Sequence, residues 1–199
     1  MSTATKRPQD NDFTVKIGNV NGTGSASANS MLMKSLFRMG IPVCGKNYFP
    51  SNIQGLPTWY EIRVSADGHL ARSGRVDVMV AMNAETYRKD HAEVAPGGYL
   101  IYDSTWPRSQ LFNRTDIHVI GVPLSRICNE NFAQARSRIL MKNIMYVGVL
   151  AALLDMDMQV IKGLLNEQFK AKASLLDANQ KSIDLGHAWA RENFSCPLP

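Results

Sequence analysis

The residues best placed to do chemistry lie near the start of the chain. Phe13 to Ile17 alternates apolar and polar and reads as a strand. It is followed by Gly18-Asn19-Val20-Asn21-Gly22-Thr23-Gly24-Ser25. Apolar residues then recur at helical spacing at Ala28, Leu32, Leu36 and Met39. A strand, a glycine-rich loop and a helix in that order make an anion site. The first-turn N–H groups point at the ligand, and the helix dipole favours negative charge. Glycine lets the backbone turn sharply beside a phosphate, and Thr23 and Ser25 add hydroxyls. The same pattern also serves as a tight turn with no ligand, and the loop by itself leaves both readings open.

Two phosphate ligands can be weighed at once. The loop lacks the Lys-Ser/Thr ending of a P-loop, which argues against ATP hydrolysis. A dinucleotide fold wants an acid about 20 residues further on, at the end of the second strand. Here that region reads Cys44-Gly45-Lys46-Asn47. Lys46 suits a phosphate better than a ribose diol, so NAD is disfavoured and NADP stays open.

The elements around the loop predict an α/β fold: a Rossmann-like, mainly parallel sheet flanked by helices, with a helical C-terminal portion. Gly40 and Pro42 stop the first helix, and Val43-Cys44 begins a second strand. Ser51 to Pro57 reads as a loop, Thr58 to Val64 as a strand, and Val76 to Met82 as a parallel strand buried on both faces. Asn83 caps a helix toward His91, Pro96-Gly97-Gly98 is a turn, and Tyr99 to Tyr102 and His118 to Val122 are further strands. Helices are expected over Met141 to Met156, Met158 to Phe169 and Leu175 to Phe194.

Composition narrows the classes. Of 199 residues 45% are hydrophobic and 20% charged, ordinary values for a globular domain, and the net charge is +5. The basic residues are scattered, which argues against a nucleic-acid partner. Cys44, Cys128 and Cys196 show no metal, cluster or disulfide spacing, and a reducing, cytoplasmic location fits them. Ile144 to Leu154 is too short to span a membrane. Residues 1–12 read as a flexible polar tail and not a signal peptide. Residues 195–199, Ser-Cys-Pro-Leu-Pro, read as a linker or truncated end.

Single residues earn the plainer reading. His69, His91, His118 and His187 are scattered and read as surface or structural groups. Glu61 and Arg63 share a strand face and read as a surface pair, or else as a contact to a partner domain. Trp59, Tyr60 and Trp106 read as packing residues, or as interface anchors if the domain docks on others. The ten methionines read as core filler or docking surface. Nothing near Cys44 in sequence would activate it.

Three segments together resemble one family. Gly18 to Asn29 resembles the opening loop of the gamma domain of 2-oxoacid:ferredoxin oxidoreductases. Tyr48-Phe49-Pro50-Ser51-Asn52-Ile53-Gln54-Gly55-Leu56-Pro57-Thr58-Trp59-Tyr60-Glu61-Ile62-Arg63-Val64-Ser65 resembles its second signature. Arg75 to Asn83 resembles the strand after it. The likeness is greatest to the form that precedes the alpha domain in 2-oxoglutarate-type enzymes, and it covers residues 13–194.

The resemblance implies a part of an enzyme that decarboxylates a 2-oxo acid, here 2-oxoglutarate, on thiamine diphosphate. Electrons pass through iron–sulfur clusters to ferredoxin, and the product is an acyl-coenzyme A. Thiamine diphosphate, magnesium and [4Fe-4S] clusters would sit on partner alpha and beta subunits or domains, because their signatures are missing here. It implies coenzyme A contacts from Asn19, Val20, Asn21, Gly22, Thr23 and Ser25, with Lys46, Asn52, Gln54 and Gly55 from the second signature. It implies no catalytic acid or base in this chain. The sequence departs from the pattern in two places: the loop lacks the GxGGQG form of many relatives, and Asn52-Ile53 stands where some relatives have lysines. Two other readings stay open, an NADP-dependent reductase and a purely structural interaction domain.

Overall fold

A computed structural model describes residues 11–49, 53–109, 113–170 and 172–198. Its centre is a six-stranded sheet in the order β2-β3-β1-β4-β5-β6. The strands are β1 (Asp12–Val20), β2 (Val43–Tyr48), β3 (Pro57–Ser65), β4 (Val76–Ala81), β5 (Val94–Asp103) and β6 (His118–Val122). The β1–β4, β4–β5 and β5–β6 pairs are parallel, and the β1–β3 and β3–β2 pairs antiparallel. Every strand except β3 therefore points the same way. The sheet is mixed, and mainly parallel as expected.

The helices are α1 (Ser25–Arg38), α2 (Tyr87–Glu93), α3 (Leu124–Asn131), α4 (Ala135–Leu153), α5 (Met158–Phe169) and α6 (Ala173–Asn193). Helix α1 ends as its sequence dictates. Ile41 N–H reaches back to Leu36 O and Gly40 N–H to Phe37 O, with Gly40 at φ 79°. This is the glycine-closed helix end that satisfies otherwise orphaned carbonyls.

One sheet face, through Val15, Ile17, Ile62, Val78, Val80 and Ile101, packs under α1 and α4 in the main core. Helix α4 is buried all round from Asn143 to Leu153, as expected for a helix wrapped by others. Helix α6 crosses it at two glycines, Gly148 and Gly186, where each would bring a Cβ against the other helix's backbone carbonyl. The opposite face holds a smaller core of Met79, Ala81, Tyr87, Leu100 and Tyr102.

The structure corrects several boundaries. Strand β1 runs on through Gly18, Asn19 and Val20, so the loop proper is only Asn21–Gly24. Pro96-Gly97-Gly98 is no turn between elements: it lies inside β5, where the β4 register shifts between Val76 and Val78. Helix α4 begins at Ala135, six residues before the expected Met141, because its first turns are polar and carry no apolar period. Glu61 and Arg63 do share a face but are not a surface pair. Glu61 is 5% exposed and bound by Arg72, and Arg63 pairs with Asp12.

Candidate functional site

The sheet order reverses between β1 and β4. From β1 the chain turns toward β2 and β3, while β4, β5 and β6 lie on the other side. The carboxyl ends of strands at such a switch point open a crevice, the usual ligand position in open α/β sheets. The Asn21–Gly24 loop closes one side of it, leading from β1 into α1.

The loop needs both of its glycines. Gly22 has φ 88° and Gly24 φ 85°, left-handed values that β-carbon-bearing residues adopt at a cost. A Cβ on Gly22 would lie 2.6 Å from Gln54 Cγ, and one on Gly24 2.5 Å from Leu140 Cδ2. Gly24 precedes the first turn of α1, and among the described residues no side chain caps that helix. Its first N–H groups are thus left to solvent or to a ligand.

The second signature does reach this loop. Asn21 N–H donates to Leu56 O at 2.8 Å, Gly55 N–H to Asn21 O at 3.0 Å, and Asn21 Nδ2 to Ile53 O at 3.2 Å. Asn21, Gly22, Gln54 and Gly55 therefore form one surface from two distant segments. Asn52 lies outside the described residues.

Beneath that surface the loop is fixed by a buried amide network. Asn19 is 4% and Asn143 of α4 2% exposed. Asn19 Nδ2 donates to Asn143 Oδ1 at 2.9 Å, and Asn143 Nδ2 donates to Thr23 O at 2.8 Å. Asn19 Oδ1 accepts from Val20 N–H, and the Thr23 hydroxyl donates within the turn, 2.8 Å from Val20 O. One turn along α4, the Tyr146 hydroxyl donates to Asn29 Oδ1 at 2.7 Å, and burial drives that phenol well above its ordinary pKa. The side chains of Asn19 and Thr23 thus hold the loop's shape. Ser25, the first residue of α1, is buried, and Val20 ends β1 half-buried.

Asn143 escaped the sequence reading. It lies on a helix with nothing near it in sequence to mark it, and only the fold brings it under the loop. Asn143→Ala strips partners from the Asn19 amide and the Thr23 carbonyl. Such orphaned buried groups cost about 3 kcal/mol together, to be read in urea unfolding against wild type.

Lys46 stands apart from the loop. It lies on edge strand β2, opposite Glu61, with its ammonium 5.3 Å from the Tyr48 ring centroid. In a dinucleotide fold the second strand adjoins the first; here β3 lies between them. The contrast of lysine with a ribose-binding acid therefore loses its geometric footing.

A second buried polar group shapes the approach to the site. Asp90 of α2 is fully buried, accepting from Trp59 Nε1 at 2.8 Å and from Thr86 Oγ1 at 2.7 Å. It covers Gly18, where a Cβ would meet Asp90 Oδ2 at 2.7 Å. Burial holds the Asp90 carboxyl above its ordinary range, with the two hydrogen bonds opposing in part. A carboxyl raised on folding contributes stability that is full below the unfolded carboxylate range and is lost as pH rises through the raised one. Asp90→Asn removes that loss, because the amide can donate to Thr86 Oγ1, which itself lies 3.2 Å from Asn83 O. Urea unfolding between about pH 4 and pH 8 is expected to show a declining wild type and a flatter variant.

The remaining residues take ordinary places. Trp59 and Tyr60 are buried and Trp106 is exposed. His91 is buried, His187 half-buried, and His69 and His118 exposed. Cys44, Cys128 and Cys196 are all free thiols. Among the described residues no cluster of His, Cys, Asp and Glu could hold a metal ion, and no helix is long and apolar enough to cross a membrane.

Comparison with known proteins settles the ancestry of this arrangement. Residues 14–189 match the family model for pyruvate ferredoxin/flavodoxin oxidoreductase. The chain belongs to this family. It is homologous to 2-oxoacid:ferredoxin oxidoreductases.

A 94-residue stretch, 46% of the chain, is 36% identical to the alpha subunit of a 2-oxoacid:ferredoxin oxidoreductase from Aeropyrum pernix, of which it covers 14%. Another stretch of 123 residues, 61% of the chain, is 29% identical to ketoisovalerate oxidoreductase subunit VorA from Methanothermobacter thermautotrophicus, covering 24% of it. The chain thus matches a minor part of these relatives' length.

Solved structures agree on the fold. The 2-oxoglutarate:ferredoxin oxidoreductase from Magnetococcus marinus, determined with 2-oxoglutarate, coenzyme A and succinyl-CoA bound, superposes with TM-score 0.84 at 22% identity. The match covers 96% of this chain and 33% of that one. The keto/oxoacid ferredoxin oxidoreductase gamma subunit from Geobacter sulfurreducens gives TM-score 0.70 at 15% identity, with 90% of this chain and 99% of that one covered.

Proposed function

We propose that this domain is the gamma portion of a 2-oxoacid:ferredoxin oxidoreductase acting on 2-oxoglutarate, and that it holds coenzyme A. In this reading the diphosphate end of coenzyme A lies against the Asn21–Gly24 loop and the start of α1. Gln54 and Gly55 form the second wall. The observation that carries it is the joining of these two segments at the switch point, on a helix whose first turn has no side-chain cap among the described residues. An anion there meets N–H groups and a helix dipole.

The superposition on an enzyme solved with coenzyme A and 2-oxoglutarate supports the choice of ligand and substrate. Thiamine diphosphate, magnesium and [4Fe-4S] clusters belong on partner alpha and beta portions, and ferredoxin takes the electrons. When bound there, the thiamine cofactor supplies the decarboxylation. The residues of this chain grip and orient. Fixing one end of coenzyme A places its thiol near the reacting centre, and such positioning is itself a rate contribution. No side chain here is asked to move a proton.

The test is activity of parts against the whole. The chain produced alone turns over neither 2-oxo acids nor NADPH. The enzyme isolated through a tag on this chain contains thiamine diphosphate and reduces ferredoxin only when 2-oxoglutarate and coenzyme A are both present. NADPH oxidation by the chain alone would instead establish a stand-alone reductase.

A further inference from the structure

A groove of about 320 Å³ runs between α3 and α4, apart from the glycine loop. Its α4 wall is Ala135, Arg138, Ile139 and Lys142, which are successive positions on one helix stripe. Cys128 of α3, almost fully buried, forms part of the floor, and Trp106 also lines the groove. Ala135 and Ile139 give this wall its apolar part, and Arg138 and Lys142 its charge. Ile139 is 50% and Trp106 51% exposed, so two large apolar side chains of one groove meet solvent. Burial pushes the Cys128 thiol up to about 12. It therefore stays protonated and acts as apolar floor, not as a nucleophile.

The charge on the walls has one sign. Arg138 and Lys142 line the groove, and among the described residues no carboxylate does. Arg138 is held in place, with Nε donating to Phe132 O at 2.6 Å and Nη2 to Ala133 O at 3.0 Å. Arg126 and Arg136 are exposed on the same two helices, with Glu130 the exposed acid on α3. Asp103 lies 3.8 Å from the Lys142 ammonium but is buried, and it is occupied by the hydroxyls of Ser125 and Thr105.

We propose that this groove docks an acidic segment carrying one bulky apolar side chain, contributed by the rest of the oxidoreductase assembly. The proposal rests on the assembly reading above. The apolar side chain fills the space between Ile139 and Trp106, and carboxylates beside it meet Arg138 and Lys142. Charges of one sign at the rim set which segment is accepted, and the desolvated apolar centre supplies the grip. Docking here also bears on the ligand loop, because the next α4 residues, Leu140 and Asn143, are the ones that touch Gly24 and Thr23.

The experiment replaces Ile139 with the photo-cross-linker p-benzoyl-phenylalanine in a tagged chain. The complete complex is isolated, irradiated, and the joined peptides are sequenced. The expected result is one dominant cross-link to a segment outside residues 1–199 whose local net charge is negative. Its yield falls at least about threefold with Lys142→Gln, and again in high salt. A neutral or basic target, cross-links confined to residues 1–199, or none in an intact complex overturns the proposal and leaves the assembly reading standing. If no thiamine-bearing partner co-purifies at all, the assembly reading fails, and the groove loses its occupant with it.

Discussion

Gly22→Asp is expected to raise the KM for coenzyme A of the assembled oxidoreductase by roughly ten- to a hundredfold, equivalent to about 1.4–2.7 kcal/mol of lost binding, with little change in the KM for the 2-oxo acid. Three effects act together. The residue must take φ 88°, which a β-carbon resists. Its Cβ would sit 2.6 Å from Gln54 Cγ, so the second wall of the surface must shift. Its carboxylate then stands where the proposed function puts the coenzyme A phosphates, and like charges repel. Gly22→Ala separates these terms: it keeps the strain and the crowding but adds no charge, so its KM should lie between the two. Equal KM values for all three forms would leave the loop as a tight turn without a ligand.

The largest expected effect on stability lies elsewhere, at the crossing of α4 and α6. Gly148→Val is expected to cost at least about 3 kcal/mol, and so to lower Tm by roughly 6–12 °C for a domain of this size. A Cβ at Gly148 collides with Ile183 O, and one at Gly186 with Met145 O, with Met145 Cγ also at 3.0 Å. Both obstacles include backbone of the facing helix, so no rotamer change relieves them and the helices must separate. Separation would open the core around Met145, Val149 and Ile183, all fully buried. Gly163→Ala is the control. It lies inside α5 with nothing within 4 Å of the added Cβ. It should therefore stabilise by up to about 1 kcal/mol through helix propensity alone. Thermal melts of the three proteins decide whether the crossing or a general intolerance of larger residues is at work.

These contrasts show where the sequence was readable. Alternation exposed β3, a continuous apolar run exposed β4, and Gly40 with Pro42 marked the end of α1. All are local signals. Strand order is not local. Nothing in the Thr58–Val64 pattern says that this strand inserts between β1 and β2 and runs against both, so β1 is not the neighbour that the reading of Lys46 requires.

The site was half legible for the same reason. The two segments that meet, around Gly22 and Gln54, could each be named. Their contact through Asn21, and the support of the loop by Asn143 across 124 residues from Asn19, depend on packing. Asp90 was invisible as well. A lone acid in a short helix reads as solvated, and only the placement of α2 over Gly18 buries it against Trp59.

The central claim is that the paired segments Asn21–Gly24 and Gln54–Gly55 form the coenzyme A surface of a larger oxidoreductase. Hydrogen–deuterium exchange of the assembled enzyme, with and without coenzyme A, tests it most directly. Protection on adding coenzyme A should appear in peptides covering residues 21–27 and 54–56, be absent with NADPH, and be lost in Gly22→Asp. Unchanged exchange in both segments while coenzyme A protects peptides only in other chains would contradict the account.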